Sequence, residues 1–288
     1  MALLGPEERR YSELRLLKEA KKVFETVTYF PISKLVLEFD EKEVKILYRG
    51  KNILEYDALL PRIPKSYMKF GYLLLCFARE QKIPIPISPE SVLYTHNKFL
   101  TLIALAQANV PIPKTYLSLK RATLEKILEN IKYPVVLKLL YGCAGKGVMF
   151  ADSKQSAISI MDMLEAFKQP VFVEEFIKNP GEDIRAFVIG EELVACMKRK
   201  AKKGERRANI AAGGVGEKYE AGDEERDLAL RAAKALGMKV AAVDILPGKK
   251  KYVIEVNVYP GLKGIENATG INVARKIVEK VYELATSV

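Results

Sequence analysis

Apolar and polar residues alternate along this chain in two rhythms. In residues 11–26, Leu14, Leu17 and Val23 fall near helical spacing, which predicts an amphipathic helix. Three short extended segments follow, Lys34–Phe39, Val44–Tyr48 and Ala58–Leu60. Tyr72–Gln81 is apolar enough to be a helix, and Ile83–Ile87 is an extended stretch broken by prolines. The pattern predicts a small α/β unit over residues 1–90.

A new unit begins at Ser91. Thr95 is placed to cap a helix that runs through Ala108 and stops before Val110-Pro111-Ile112-Pro113. Val135–Leu140 and Val148–Ala151 read as strands on either side of a glycine-rich turn, Ser153–Phe167 as a helix and Val171–Ile177 as a strand. Asp183–Ile189 and Glu192–Lys198 are strands joined at Gly190-Glu191, a hairpin signal. Residues 199–217 form a long basic loop. Glu224–Leu236 is a helix ended by Gly237, Val240–Leu246 and Tyr252–Val258 are paired strands, and Asn272–Ala285 is a closing helix.

The most informative chemistry lies in the last strand pair. Glu255 and Asn257 are two residues apart in a strand and so share a face. Asp244 sits across the connection, close to Glu255 if the strands pair. Hard oxygen donors grouped in this way suit Mg²⁺ with phosphates completing the shell. Carboxylates inside otherwise apolar strands otherwise need basic partners. A solvated sheet face is the alternative.

Three further features leave two readings each. The glycine loop Tyr141-Gly142-Cys143-Ala144-Gly145-Lys146-Gly147 can bring backbone N–H groups onto a phosphate or can be a plain turn. It departs from the G-x-x-x-x-G-K-[ST] pattern, because Val148 follows Gly147. Lys138, in the strand before it, is either an edge residue with a buried stem or an anion ligand. The run Lys198–Arg207 has seven bases and one acid, then passes into Ala211-Ala212-Gly213-Gly214-Val215-Gly216. It can be a solvated surface or a mobile lid over phosphates.

Composition narrows the field. The 288 residues are 49% hydrophobic and 29% charged, an ordinary globular balance, and the length predicts more than one domain. A net charge of +11 asks for an anionic partner. No apolar run approaches the roughly 18 residues of a membrane span, and the start of the chain does not read as a signal peptide. Cys76, Cys143 and Cys196 form neither a disulfide framework nor a zinc pattern, and a reducing cytoplasm suits them best. His96 is the one histidine, which argues against a Ser-His-Asp triad.

In order along the chain, Lys138-Leu-Leu-Tyr-Gly-Cys-Ala-Gly-Lys-Gly-Val148, Glu175-Phe-Ile177, Asp183-Ile-Arg185, Arg207-Ala-Asn209 with Gly213-Gly214, and Asp244…Glu255-Val-Asn257-Val-Tyr-Pro-Gly-Leu262 resemble the RimK-like branch of the ATP-grasp ligases. The resemblance runs from about Asp57 to Val281. It implies an α/β (α+β) ATP-grasp fold in three parts: an N-terminal pre-ATP-grasp domain (1–90), a lid subdomain (91–172) and a C-terminal catalytic subdomain (173–288).

By position, the resemblance gives ATP phosphates to Lys98 and Lys138 and the loop Tyr141–Gly147, including Gly142, Gly145 and Lys146. It gives adenine to the hinge Glu175-Phe176, ribose to Asp183, and Mg²⁺ (or Mn²⁺ in its place) to Asp244, Glu255 and Asn257. Arg207 and Asn209 face the transferring phosphate; Arg185 and Arg62 are candidates for substrate carboxylates. Two positions depart from the family pattern: Asn97 where Asp is common, and Leu139 where Pro is common.

The implied activity is an ATP-dependent carboxylate–amine ligation through an acyl-phosphate, with glutamate or another amino acid added to an acidic acceptor. A small-molecule cofactor tail, a protein C-terminus and a carrier protein of lysine or arginine biosynthesis are the acceptor classes, and homo-oligomers occur in this branch. An RNA-binding protein is the non-enzymatic alternative. Residues 198–216 carry no aromatic side chains to stack on bases, which ranks it low.

Overall fold

The computed structural model describes residues 1–140, 147–178, 181–201 and 215–287. The N-terminal unit begins with β1 (Ala2–Gly5), α1 (Tyr11–Ala20) and β2 (Thr28–Pro31). It continues with β3 (Val36–Phe39), β4 (Val44–Tyr48), β5 (Lys51–Asn52), β6 (Leu59–Pro61) and α2 (Met68–Glu80). Strand β1 is central in a parallel β2-β1-β6 sheet, and β3-β4-β5 form a separate antiparallel sheet. Ala2-Leu3-Leu4 is buried on both faces, so it shows no alternation and escapes a periodicity reading. Helix α1 ends at Ala20, earlier than the pattern predicts. It buries Leu16, Leu17 and Ala20 and leaves Leu14 exposed.

Helices α3 (Pro89–His96) and α4 (Lys98–Gln107) replace the single predicted helix from Thr95. Asn97 breaks them: its backbone is extended, and its Oδ1 accepts from the N–H groups of Phe99 at 3.0 Å and Leu100 at 3.2 Å. It is an N-cap, and it sets Lys98 as the first residue of α4. Thr95 instead bonds back to the Ser91 carbonyl at 3.1 Å.

The middle unit holds β7 (Thr115–Ser118), α5 (Glu125–Asn130), β8 (Val135–Lys138), β9 (Val148–Ala151), α6 (Lys154–Ala166) and β10 (Val171–Glu175). Its antiparallel sheet runs β7-β10-β8-β9 and has a core of its own, built on Leu124, Leu128, Val135, Leu137, Met161 and Val173. Because β10 belongs to this sheet, the sheet ends at Glu175 and not at 172. Helices α3 and α4 bury Val92, Leu102 and Leu105 in the core shared by the N- and C-terminal units.

The C-terminal unit comprises β11 (Glu182–Ile189), β12 (Glu192–Lys200), β13 (Val215–Lys218), α7 (Asp223–Ala235), β14 (Val240–Leu246), β15 (Tyr252–Asn257), α8 (Leu262–Thr269) and α9 (Val273–Thr286). Its antiparallel sheet runs β13-β12-β11-β14-β15. Ala241, Val243, Ile245 and Val253 point toward α7. Phe187, Ile189, Met197, Val240 and Ala242 point toward α1, α8 and α9. The units are tied at Gly237, whose carbonyl accepts from Ser88 N–H at 2.7 Å.

Candidate active site

The face that buries Phe187, Ile189 and Ala242 turns polar toward its other end. Alternation along β11 continues from Phe187 through Arg185 to Asp183, along β12 from Met197 to Arg199, and along β14 from Ala242 to Asp244. Asp244 lies directly opposite Glu255 on one side and Arg185 on the other, and Asn257 lies opposite Ala242. A bulge follows Asp244. One sheet face thus gathers Asp183, Arg185, Arg199, Asp244, Glu255 and Asn257. Four of the sequence-predicted residues beside Arg185 meet here: Asp183, Asp244, Glu255 and Asn257.

Two of the acids are held by arginines. Asp244 is 1% exposed; its Oδ1 accepts from Arg185 Nε at 2.7 Å, and its Oδ2 from Arg185 Nη2 at 2.7 Å. Arg199 Nη2 lies 2.9 Å from the same Oδ2. Arg199 also donates through Nε to Asp183 Oδ1 at 2.5 Å and through Nη2 to Asp183 Oδ2 at 2.8 Å. Burial works to raise the Asp244 carboxyl, but Arg185 and then Arg199 outweigh it and hold it below the usual range. Asp183 has one arginine instead of two. Burial and the charge of Asp244 push its carboxyl up to about 6 against the pull of Arg199.

A narrow cavity opens beside this face, where α4, β8, β10 and β15 meet. Thr95, Lys98, Lys138, Phe172, Glu174 and Glu255 line it. Lys98 Nζ is 3.4 Å from Glu255 Oε1, and Lys138 Nζ is 2.5 Å from Glu174 Oε1 and sits 6.0 Å from the Phe172 ring centroid. Glu174 Oε2 and Asn257 Nδ2 are buried without a hydrogen-bond partner among the described residues. Such orphaned polar atoms point to a ligand or water. Gly147, just before β9, has φ of 78°, and a Cβ there would meet Leu139 at 2.7 Å.

The remaining predicted residues are placed differently. Glu175 ends β10 with its N–H bonded to the Lys114 carbonyl at 2.9 Å. Phe176 meets Phe150 edge to face at 6.0 Å. Arg62 lies in the seam between the N- and C-terminal units: it donates to Glu13 at 3.1 Å and to the Pro260 carbonyl at 3.0 Å, with its guanidinium 6.0 Å from the Tyr259 ring centroid. Tyr141, Gly142, Gly145, Lys146, Arg207 and Asn209 lie outside the described residues, as does most of the basic loop.

Sequence reasoning missed Arg199 and Glu174. Arg199 sat in the basic run and was assigned to the loop, whereas β12 extends to Lys200 and alternation from Met197 carries Arg199 onto the site face. The signal for Glu174 was an acid directly after the apolar run Val171-Phe-Val, on the face of Phe172, in a strand that pairs with the strand of Lys138.

The donor set can be tested against Mg²⁺. Glu255 and Asn257 fit: they are oxygen-bearing, on one face, beside two lysines suited to phosphate. Asp244 has the right chemistry and register, but its oxygens are taken by guanidinium groups. Among the described residues no cluster of three or more acid, histidine or cysteine side chains is arranged to hold a metal ion.

Two antiparallel sheets with lysines and acids at a cavity between them, behind an N-terminal α/β unit, are the layout expected of an ATP-grasp ligase. The RimK-like ATP-grasp domain model matches residues 95–281 and the RimK pre-ATP-grasp domain model residues 1–84. The chain is 36% identical over 287 residues to the "Probable alpha-L-glutamate ligase" of Mannheimia succiniciproducens, covering 96% of each. Its fold is similar to the ATP-grasp ligase PsnB solved with a minimal precursor (TM-score 0.79, 17% identity, 98% of each chain). It is similar also to a RimK domain protein from Sphaerobacter thermophilus (TM-score 0.75, 20% identity, 97% of this chain and 98% of that one). The chain belongs to the RimK-like ATP-grasp family and is an ATP-dependent carboxylate–amine ligase. Among the described residues no helix is long and apolar enough to cross a membrane.

Proposed function

We propose that this enzyme adds L-glutamate to the carboxylate of a small acidic acceptor, a cofactor tail being the class that fits best. The observation that carries the ligation chemistry is the meeting of Lys98, Lys138 and Glu255 at one cavity beside the polar end of the β11–β14–β15 face. ATP phosphates lie against the two lysines. The acceptor carboxylate attacks the γ-phosphorus, the bond to the β,γ-bridging oxygen breaks and ADP leaves, and the lysines and the open end of Arg185 stabilise charge that grows on the transferring group. The family resemblance assigns Arg207 and Asn209, which lie outside the described residues, to that phosphate. Glu255 and Asn257, with Asp244 behind them, would hold Mg²⁺, which would supply positive charge against the phosphates. The α-amine of glutamate then displaces phosphate from the acyl-phosphate to give the amide. Closure of the lid sheet excludes water from that intermediate.

The choice of glutamate follows the curated relatives at 36% identity, and the excess of basic residues suits an acidic acceptor. Incubating the enzyme with ATP, Mg²⁺, labelled glutamate and cell extract tests the reading. Label in an acid-soluble product is expected; label in a protein band would replace the small acceptor by a polypeptide, and no label with any fraction would remove glutamate as the donor.

A further inference from the structure

Asp244 is the acid whose register best suits a cation, yet it is the least available one. Three N–H groups from two guanidiniums occupy its two oxygens at 2.7, 2.7 and 2.9 Å, and the residue is 1% exposed. Arg199 is itself pinned to Asp183 through two further bonds. On the neighbouring strand the ammonium of Lys98 stands 3.4 Å from Glu255. Among the described residues at this end of the sheet, the carboxylates of Asp183, Asp244 and Glu255 face Arg185, Arg199 and Lys98, three charges against three. A divalent cation needs anionic oxygens with free lone pairs and gains little from such a cluster. A polyphosphate changes the balance. Its oxygens attract guanidinium groups bidentately and ammonium groups as point charges, and each group they draw away uncovers a carboxylate oxygen.

Building on the ligase reading, we propose that Arg185 and Arg199 form a clasp that withholds Asp244 from a divalent cation until nucleotide phosphates engage the arginines, so that the cation enters together with the nucleotide. The two arginines are positioning residues: they act through Asp244. They also remove the cost of burying that carboxylate when no nucleotide is bound.

The test uses the full chain without nucleotide and Mn²⁺ as the probe, followed by calorimetry or by the loss of the free-ion magnetic resonance signal. Wild type is expected to bind Mn²⁺ weakly. Arg185→Met, whose described side-chain bonds go to Asp244 alone, is expected to bind about tenfold or more tightly, as loss of a charge-assisted bidentate pair implies. Asp244→Asn in the Arg185→Met background is expected to abolish the gain. Saturating ADP is expected to narrow the difference between wild type and Arg185→Met. Arg199→Met is expected to act in the same direction; where circular dichroism shows that variant unfolded, Arg185→Met and Arg199→Lys decide. Equal Mn²⁺ affinity of wild type and Arg185→Met without nucleotide, or weaker binding by the variant, overturns the clasp. ADP formation by wild type is scored separately: turnover with unchanged Mn²⁺ affinities sinks the clasp and leaves the ligase reading standing.

Discussion

Replacing Lys138 by methionine should separate what this lysine does for the fold from what it does for the reaction. Its ammonium is 2.5 Å from Glu174 Oε1, with side-chain exposures of 13% for Lys138 and 5% for Glu174. Glu174 Oε2 has no hydrogen-bond partner among the described residues, so Lys138 is the group that compensates this buried charge. Removing one partner of such a pair costs about 3–5 kcal/mol. The lower end, about 3 kcal/mol, applies because Lys138 retains some contact with water. For a chain of this length that corresponds to a fall in melting temperature of roughly 5 °C. The double variant Lys138→Met/Glu174→Leu removes both charges beside the Phe172 ring and should recover to within about 1 kcal/mol of wild type. Denaturant unfolding followed by circular dichroism, with the slope checked for constancy, measures both. ADP formation should be lost in both, since neither offers phosphate a cation at this position. A Lys138→Met cost below about 1 kcal/mol, or a double variant no more stable than the single one, would refute the argument from burial.

Glu255→Ala should lower ADP formation by about 10²–10³-fold while the far-ultraviolet spectrum stays that of wild type, because its carboxylate is partly exposed and makes one long ion pair; turnover near that of wild type would remove Glu255 from the cation site. Gly237→Ala should destabilise by about 2 kcal/mol or more in thermal unfolding, because φ there is 66° and a Cβ would stand 2.5 Å from Ser88 Oγ in the tie between units. The Cys196 thiol is pushed up to about 12, first by burial and then by Glu225, so in native protein at pH 8 it should resist iodoacetamide and react once denaturant is added, as read by mass spectrometry. For Glu266, burial acts upward but the bond from Arg15 and the Ala274 N–H bring its carboxyl below the ordinary 4.5. Its contribution is complete above pH 4.5 and lost as pH falls through the folded value, so Arg15→Met should flatten the acid limb of the stability curve.

Much of this arrangement was legible before any coordinates. The strands Val44–Tyr48, Val240–Leu246 and Tyr252–Asn257 follow from short apolar, β-branched runs bounded by turn residues, which are a local property of the chain. Among the short elements, β1, β2, β5, β7, β13, α5 and α8 were not legible. β1 and β2 are too short and β1 too uniformly buried to show a period, and β7 and α5 lie in a stretch where no rhythm is sustained. The break at Asn97 was hidden because one side chain, acting as a cap, turns an apparently continuous helix into two. The site divided in the same way. Lys138 and the acids of β14 and β15 stood out as charges in apolar runs, and Lys98 came from the family resemblance alone. Glu174 and Arg199 became meaningful only once their partners on other strands were known.

What the chain alone determined is the set of local preferences: which segments are strands or helices, which charges sit inside apolar runs, and which family the ordered motifs resemble. Tertiary structure decided the pairing of charges. Whether Asp244 meets a cation or two guanidiniums, whether Lys138 is free or held by Glu174, and whether Arg62 faces a substrate or the seam between units all depend on strand neighbours distant in sequence. Charge pairing is a property of three-dimensional distance and burial, since the energy of two charges changes several-fold between a wet surface and a dry interior, and neither distance nor burial is written in the order of residues.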